Sequence, residues 1–194
     1  MAGRYFRPDW ATHCLTHLLG TQLQPDSLLN SGAPSEFQID GNLGAPGGMI
    51  ELLLQSHESV STTASSPAGY SPPASYGSPK PENLTAAFTG DSNKAPLIRL
   101  LPTVPAEFAS VGGGGYVRGL RARGGFEVGI TWDAQGALVS ANITSTSGGT
   151  AYVTLGDTAI GQINGTSITS EGAGSGIFLK LMTQAGKSYE VTGA

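Results

Sequence analysis

Asp40 stands in the run Phe37-Gln38-Ile39-Asp40-Gly41-Asn42-Leu43-Gly44, between glycines and just ahead of the apolar stretch Leu52-Leu53-Leu54. A carboxylate so placed can face a cleft and take part in proton transfer. It can equally hydrogen-bond nearby backbone amides as a capping or loop-closing group. The spacing leaves both roles open. Neither Glu36 nor Glu58 makes a second member of a catalytic pair: Glu36 reads as solvated and Glu58 as sitting at a helix end. His13 and His17 are one helical turn apart, but no carboxylate at suitable spacing completes a metal set, so they read as a polar helix face. Gly112-Gly113-Gly114-Gly115 has the composition of a phosphate loop without its Lys-Ser/Thr, which excludes that chemistry. Cys14 is the only cysteine, so there is no internal disulfide and no thiolate cluster. It falls on the apolar side of a predicted helix and reads as a buried, inert thiol.

The elements that must position these groups divide the chain in two. Residues 9–19 read as a helix, with Asp9 as cap, Trp10, Cys14, Leu15, Leu18 and Leu19 at helical spacing, and Gly20 as its stop. Residues 20–45 read as an irregular loop. A second helix is predicted over 46–57, with Pro46 in its first turn and apolar side chains nearly all round, which requires burial on several sides. Residues 59–95 are rich in Ser, Thr, Ala, Gly and Pro and read as a linker or long surface insertion. From Pro96 the pattern turns to period two. Leu97–Leu101 is a short strand. Phe126, Val128, Ile130 and Trp132 alternate with Glu127, Gly129, Thr131 and Asp133. Asp133-Ala134-Gln135-Gly136 is a turn, after which Val139, Ala141 and Ile143 continue on one face. Further strands fit Ala151–Leu155, Ile177–Met182 and Ser188–Val191. Short strands at this spacing predict an antiparallel β-sandwich.

Composition excludes several classes of function. The 194 residues are 39% hydrophobic, enough for a core, and only 12% charged, with 29 glycines and 12 prolines. A net charge of −4 argues against a nucleic-acid partner, which needs a basic face. No apolar run reaches the roughly 20 residues of a membrane span. The start, Met1-Ala2-Gly3-Arg4-Tyr5-Phe6-Arg7, has no apolar signal core. Asn83-Leu84-Thr85, Asn142-Ile143-Thr144 and Asn164-Gly165-Thr166 are glycosylation sequons nonetheless.

Two blocks in order, Phe37-Gln38-Ile39-Asp40-Gly41-Asn42 with Leu52-Leu53-Leu54-Gln55-Ser56-His57, and Arg118-Gly119-Leu120-Arg121-Ala122-Arg123-Gly124-Gly125-Phe126-Glu127-Val128, resemble the C-terminal end of family-95 glycoside hydrolases, the α-L-fucosidase-like enzymes. The resemblance implies an (α/α)6 barrel followed by a β-sandwich, inverting hydrolysis of terminal α-linked fucose from a glycan or oligosaccharide, no metal or organic cofactor, and an extracellular setting. With the sequons it suggests descent from a secreted enzyme. By match of motif, Asp40 is the carboxylate that assists a pair of asparagines acting on the attacking water. A carboxylate accepting an amide N–H raises the electron density on the amide oxygen, which can then orient and deprotonate water. His57 matches the family's Gln-Ser-His and is either a substrate contact or a hydrogen-bonded histidine at a helix end. Arg118, Arg121 and Arg123 would pack the β-domain against the barrel.

The chain departs from the family where Pro34-Ser35-Glu36 replaces His-Pro-Pro and Leu43 replaces a usual Phe. Twelve barrel helices would need ~140 residues before connections, whereas 39 precede Asp40. The general acid and the asparagine pair therefore belong to a barrel segment not contained here. The expectation is a helical remnant over 1–58, an insertion over 59–95 and a β-sandwich over 96–194, inactive alone. The alternative is a non-catalytic carbohydrate-binding or structural sandwich, with Tyr116, Tyr152 and Tyr189 as candidate sugar-facing aromatics.

Overall fold

The computed structural model describes residues 8–24, 29, 39–61, 93–155, 160–164, 166–167 and 179–193. Among the described residues, three helices, α1 (Pro8–Gln22), α2 (Ile39–Leu53) and α3 (Ala106–Ser110), accompany ten strands. The strands are β1 (Leu54–Ser61), β2 (Lys94–Leu100), β3 (Gly114–Ala122), β4 (Phe126–Asp133), β5 (Leu138–Ser145), β6 (Gly149–Thr154), β7 (Ile160–Ile163), β8 (Thr166–Ser167), β9 (Leu179–Thr183) and β10 (Ser188–Gly193). They form a four-stranded sheet, β1-β2-β6-β9, and a six-stranded sheet, β3-β4-β5-β10-β7-β8. All pairings are antiparallel except β2 with β6.

The sheets face each other across one core, as a β-sandwich requires. The four-stranded sheet contributes Leu54, Ile98, Leu100, Ala151, Val153 and Leu181; the six-stranded sheet contributes Phe126, Val128, Ile130, Trp132, Ala141, Ile143 and Val191. The alternation along β4 holds throughout, with its even-numbered side chains inward. On β5 it fails at one end. Ala141 and Ile143 are buried, but Val139 is 50% exposed. A register shift between Thr131 and Trp132 pairs Trp132 with Leu138, so Leu138 packs against the core in its place. The turn at Asp133 forms as its sequence predicts: its carboxylate accepts N–H bonds from Gln135 and Ala137, both at 2.9 Å, and Gly136 takes the left-handed conformation at φ 78°.

Several expectations are corrected. The helix predicted over 46–57 begins at Ile39 and ends at Leu53, so Asp40 lies in its first turn, and Gln55, Ser56 and His57 belong to a strand. The apolar run is helical as far as Leu53; from Leu54 the backbone groups are satisfied by pairing β1 with β2. The limit expected between helical remnant and sandwich, residue 58, consequently falls inside β1, an edge strand of the sandwich. Cys14 is exposed rather than buried; on α1 it is Ala11 that packs inward, at 2% exposure. Helix α1 also runs past Gly20 to Gln22. Most of the expected insertion, 62–92, and the beginning of the strand expected over Ile177–Met182 lie outside the described residues. Ala185-Gly186-Lys187 joins strands of different sheets, so β9 and β10 do not form a hairpin.

Candidate functional site

Helix α2 carries Asp40 at one end and is rooted in the sandwich at the other. Leu52, Leu53 and Leu54 are 3%, 8% and 4% exposed. The carbonyls of Leu52 and Leu53, which a helix terminus leaves without intrahelical partners, accept N–H bonds from Thr103 at 3.2 Å and Leu101 at 2.9 Å. Toward the N-terminus the helix emerges: Ile39, Leu43 and Ile50 are 62%, 71% and 43% exposed. At 1.5 Å per residue, Asp40 stands ~20 Å from the rooted end. The sandwich thus holds the base of an arm whose tip carries the carboxylate.

Asn42, two residues on, serves as a clamp. Its Oδ1 accepts the N–H of Leu29 and its Nδ2 donates to the Leu29 carbonyl, both at 2.8 Å, the two bonds a neighbouring strand would make. Leu29 is buried and bridges to Leu23 at the end of the α1 segment. Asn42 therefore ties the preceding chain to the turn that contains Asp40. Nothing in the spacing of Gln38-Ile39-Asp40-Gly41-Asn42 points to this, because the partner is backbone.

At the base, polar side chains fill the junction of α2 with β1. Gln55 is 2% exposed and its Nε2 donates to the Glu51 carbonyl at 2.9 Å. His57 is buried, with Nδ1 4.0 Å from a Glu51 carboxylate oxygen. Glu58 Oε2 accepts a hydrogen bond from Arg99 Nε at 2.7 Å, and the Arg99 terminal nitrogen Nη2 lies 2.7 Å from the same oxygen as an ion pair. Ser56 accepts the N–H of Arg123 at 3.0 Å, joining this strand to the end of β3. Glu58, read from sequence as a helix-end residue, is thus half of a buried ion pair. Its partner Arg99 escaped notice because it sits in an otherwise apolar strand. From Asp40 to Glu51 is ~16 Å along the helix, beyond the roughly 6.5–9.5 Å that separates the two carboxyl groups of an inverting glycosidase. Asp40 and Glu51 are therefore too far apart along the helix to form such a pair.

The arginines of the second block are dispersed. Arg118 lies over the ring of Tyr116 at 5.3 Å, and Arg121 pairs with Glu127 at 2.9 Å on the surface. The Arg123 backbone N–H reaches Ser56 of β1. Of the candidate aromatics, Tyr116 is 70% exposed, Tyr152 is buried, and Tyr189 packs partly against the core while its hydroxyl accepts the Gln184 N–H at 2.8 Å. A groove of about 370 Å³ opens on the outer face of β3, β4 and β5, with Arg118, Gly129, Thr131, Ser140, Asn142 and Thr144 among its lining.

A family model described as glycoside hydrolase family 95, C-terminal domain, matches residues 92–191, just over half of the chain and including the last strands. A probable alpha-fucosidase A from Aspergillus niger is 31% identical over 110 residues, which is 57% of this chain and 10% of that relative. The match thus spans about a tenth of the relative's length. The match takes in the sandwich strands from β2 into β10 and leaves out β1, and the chain belongs to glycoside hydrolase family 95.

Proposed function

We propose that this chain is the C-terminal region of an α-L-fucosidase-type glycoside hydrolase that releases terminal α-linked fucose from glycans with inversion. Asp40 is the carboxylate that activates the water-binding amides. The carrying observation is that Ile39-Asp40-Gly41-Asn42 opens a helix whose far end is built into the sandwich. The motif and the sandwich are thus joined through one continuous helix. The exposed apolar side chains Ile39, Leu43 and Ile50 suit a helical partner region of the same enzyme, which would supply the general acid and the asparagine pair. His57 enters this reading through its place in the motif; its burial beside Glu51 favours positioning of the helix base over direct contact with sugar.

The carbohydrate-binding alternative needs an aromatic platform, and of its three tyrosines only Tyr116 is open. The hydrolase reading is therefore preferred.

The test uses the 194-residue chain and a longer family enzyme that includes it, each assayed on a fucosylated oligosaccharide with anomer detection. The chain alone should show no turnover. In the longer enzyme Asp40→Asn should lower kcat by about 10²-fold or more, the scale of positioned acid–base catalysis, with KM little changed. Turnover by the chain alone, or an Asp40→Asn enzyme with undiminished kcat, overturns the assignment.

A further inference from the structure

We propose that Asn142 is an N-glycan acceptor, and that its glycan stands over the groove on the outer face of the six-stranded sheet, keeping that face in solvent. Asn142-Ile143-Thr144 is a sequon lying along β5. Successive side chains of a strand point to opposite faces. Ile143 is fully buried in the core, so Asn142 and Thr144 share the outer face, where Asn142 is exposed. Its neighbour across β4 is Gly129, which puts no side chain beside it. A Cβ at 129 would stand 3.5 Å from the Val117 carbonyl oxygen and 3.7 Å from Arg118 Cγ, so its absence opens the depression between β3 and β5. Thr131, Ser140 and Thr144 border it with hydroxyl groups that can bond a sugar ring, and the cavity of about 370 Å³ gives the first sugar room without displacing protein atoms.

The covalent step belongs to an oligosaccharyl transferase, acting on an oligosaccharide carried by a polyprenyl diphosphate. The Asn142 Nδ2 attacks the anomeric carbon and the C–N bond forms. The bond from that carbon to the diphosphate oxygen breaks, the diphosphate leaves with the electron pair, and Nδ2 loses a proton. The other sequons are placed differently. Asn83 lies outside the described residues. Asn164 sits at φ 48° and is held against the sheet by two 2.8 Å bonds to the Glu190 backbone, one of them through its own side-chain oxygen. A glycan on Asn142 would exclude other protein from the outer face of β4, β5 and β10. The remainder of the enzyme would then have to approach from the side of α2. This inference does not depend on the fucosidase reading.

The chain should be translated with secretory microsomes and, separately, secreted from yeast behind a leader peptide. Peptide-N-glycosidase, which converts an occupied asparagine to aspartate, followed by tandem mass spectrometry should find Asp at position 142. Asn142→Gln and Thr144→Ala should each lose one glycan increment, while Thr144→Ser keeps it. Recovery of position 142 as unmodified asparagine from both preparations overturns the proposal. An endoglycosidase should also remove the glycan from the folded, secreted chain. A position-142 glycan that resists removal until the chain is unfolded would overturn the claim that this face is open.

Discussion

Arg99 and Glu58 show how much a single pair can matter in a small sandwich. Their side chains are 5% and 12% exposed, so neither charge has much water to fall back on. Removing one partner leaves the other buried and uncompensated, at a cost of about 3–5 kcal/mol, whereas replacing both with apolar groups of similar volume is far less damaging. Urea denaturation should show Arg99→Met or Glu58→Gln strongly destabilised, and Arg99→Met combined with Glu58→Leu nearer to wild type. Additive losses would contradict a coupled pair. Gly115 is a second sensitive position. A Cβ there would lie 2.4 Å from Trp132 Cζ2, and Trp132 is fixed by its Nε1 donating to the Phe108 carbonyl at 2.9 Å. Gly115→Ala should therefore cost about 1–3 kcal/mol by overpacking and shift the Trp132 fluorescence toward that of an exposed indole. None of these three environments can be read from spacing, because each depends on residues brought together from distant parts of the chain.

Among the elements, β1 has the largest consequence. It follows α2 without a break, forms the edge of the four-stranded sheet, and with the helix end sends Leu53 and Leu54 into the main core. Fully burying a leucine side chain stabilises by roughly 1.5–3 kcal/mol. A chain beginning at residue 93 should therefore be less stable than one that retains 39–61 by on the order of 3–6 kcal/mol. Calorimetry on the two forms decides it; equal transition temperatures would mean that β1 is dispensable. The strands from β4 to β6 were legible in the sequence, because alternation and turn residues act locally. Strand β1 was not, because the apolar run Leu52-Leu53-Leu54 crosses from helix to strand without alternation, and only pairing with β2 shows that the strand starts at Leu54.

For the whole molecule, stability should be graded from the sandwich outward. Strands β4, β5 and β10 are contiguous in one sheet and carry the fully buried Val128, Ile143 and Val191. The first turns of α2, with Ile39 and Leu43 exposed, bury little apolar surface and are held by the Asn42 bonds to Leu29. Amide hydrogen exchange should be slowest in β4, β5 and β10 and fast in residues 39–46, since local opening follows buried contact. In a longer family enzyme the same early turns should become protected if a helical region packs on Ile39 and Leu43. Unchanged exchange there would count against the proposed docking.

Period-two alternation with turn residues determined that the C-terminal half is a β-sandwich, and two short blocks carried the family resemblance, because each of these signals lies within a few consecutive residues. Tertiary structure alone decided that Asp40 begins a helix rather than ending a loop, and that Asn42 clamps the backbone of Leu29. It also decided that β9 and β10 belong to different sheets and that Asn142 faces an open groove beside Gly129. The physical reason is common to all four. Each depends on which distant backbone groups satisfy a hydrogen bond or which face a sheet buries, and pairing across long sequence separations leaves no trace in local spacing.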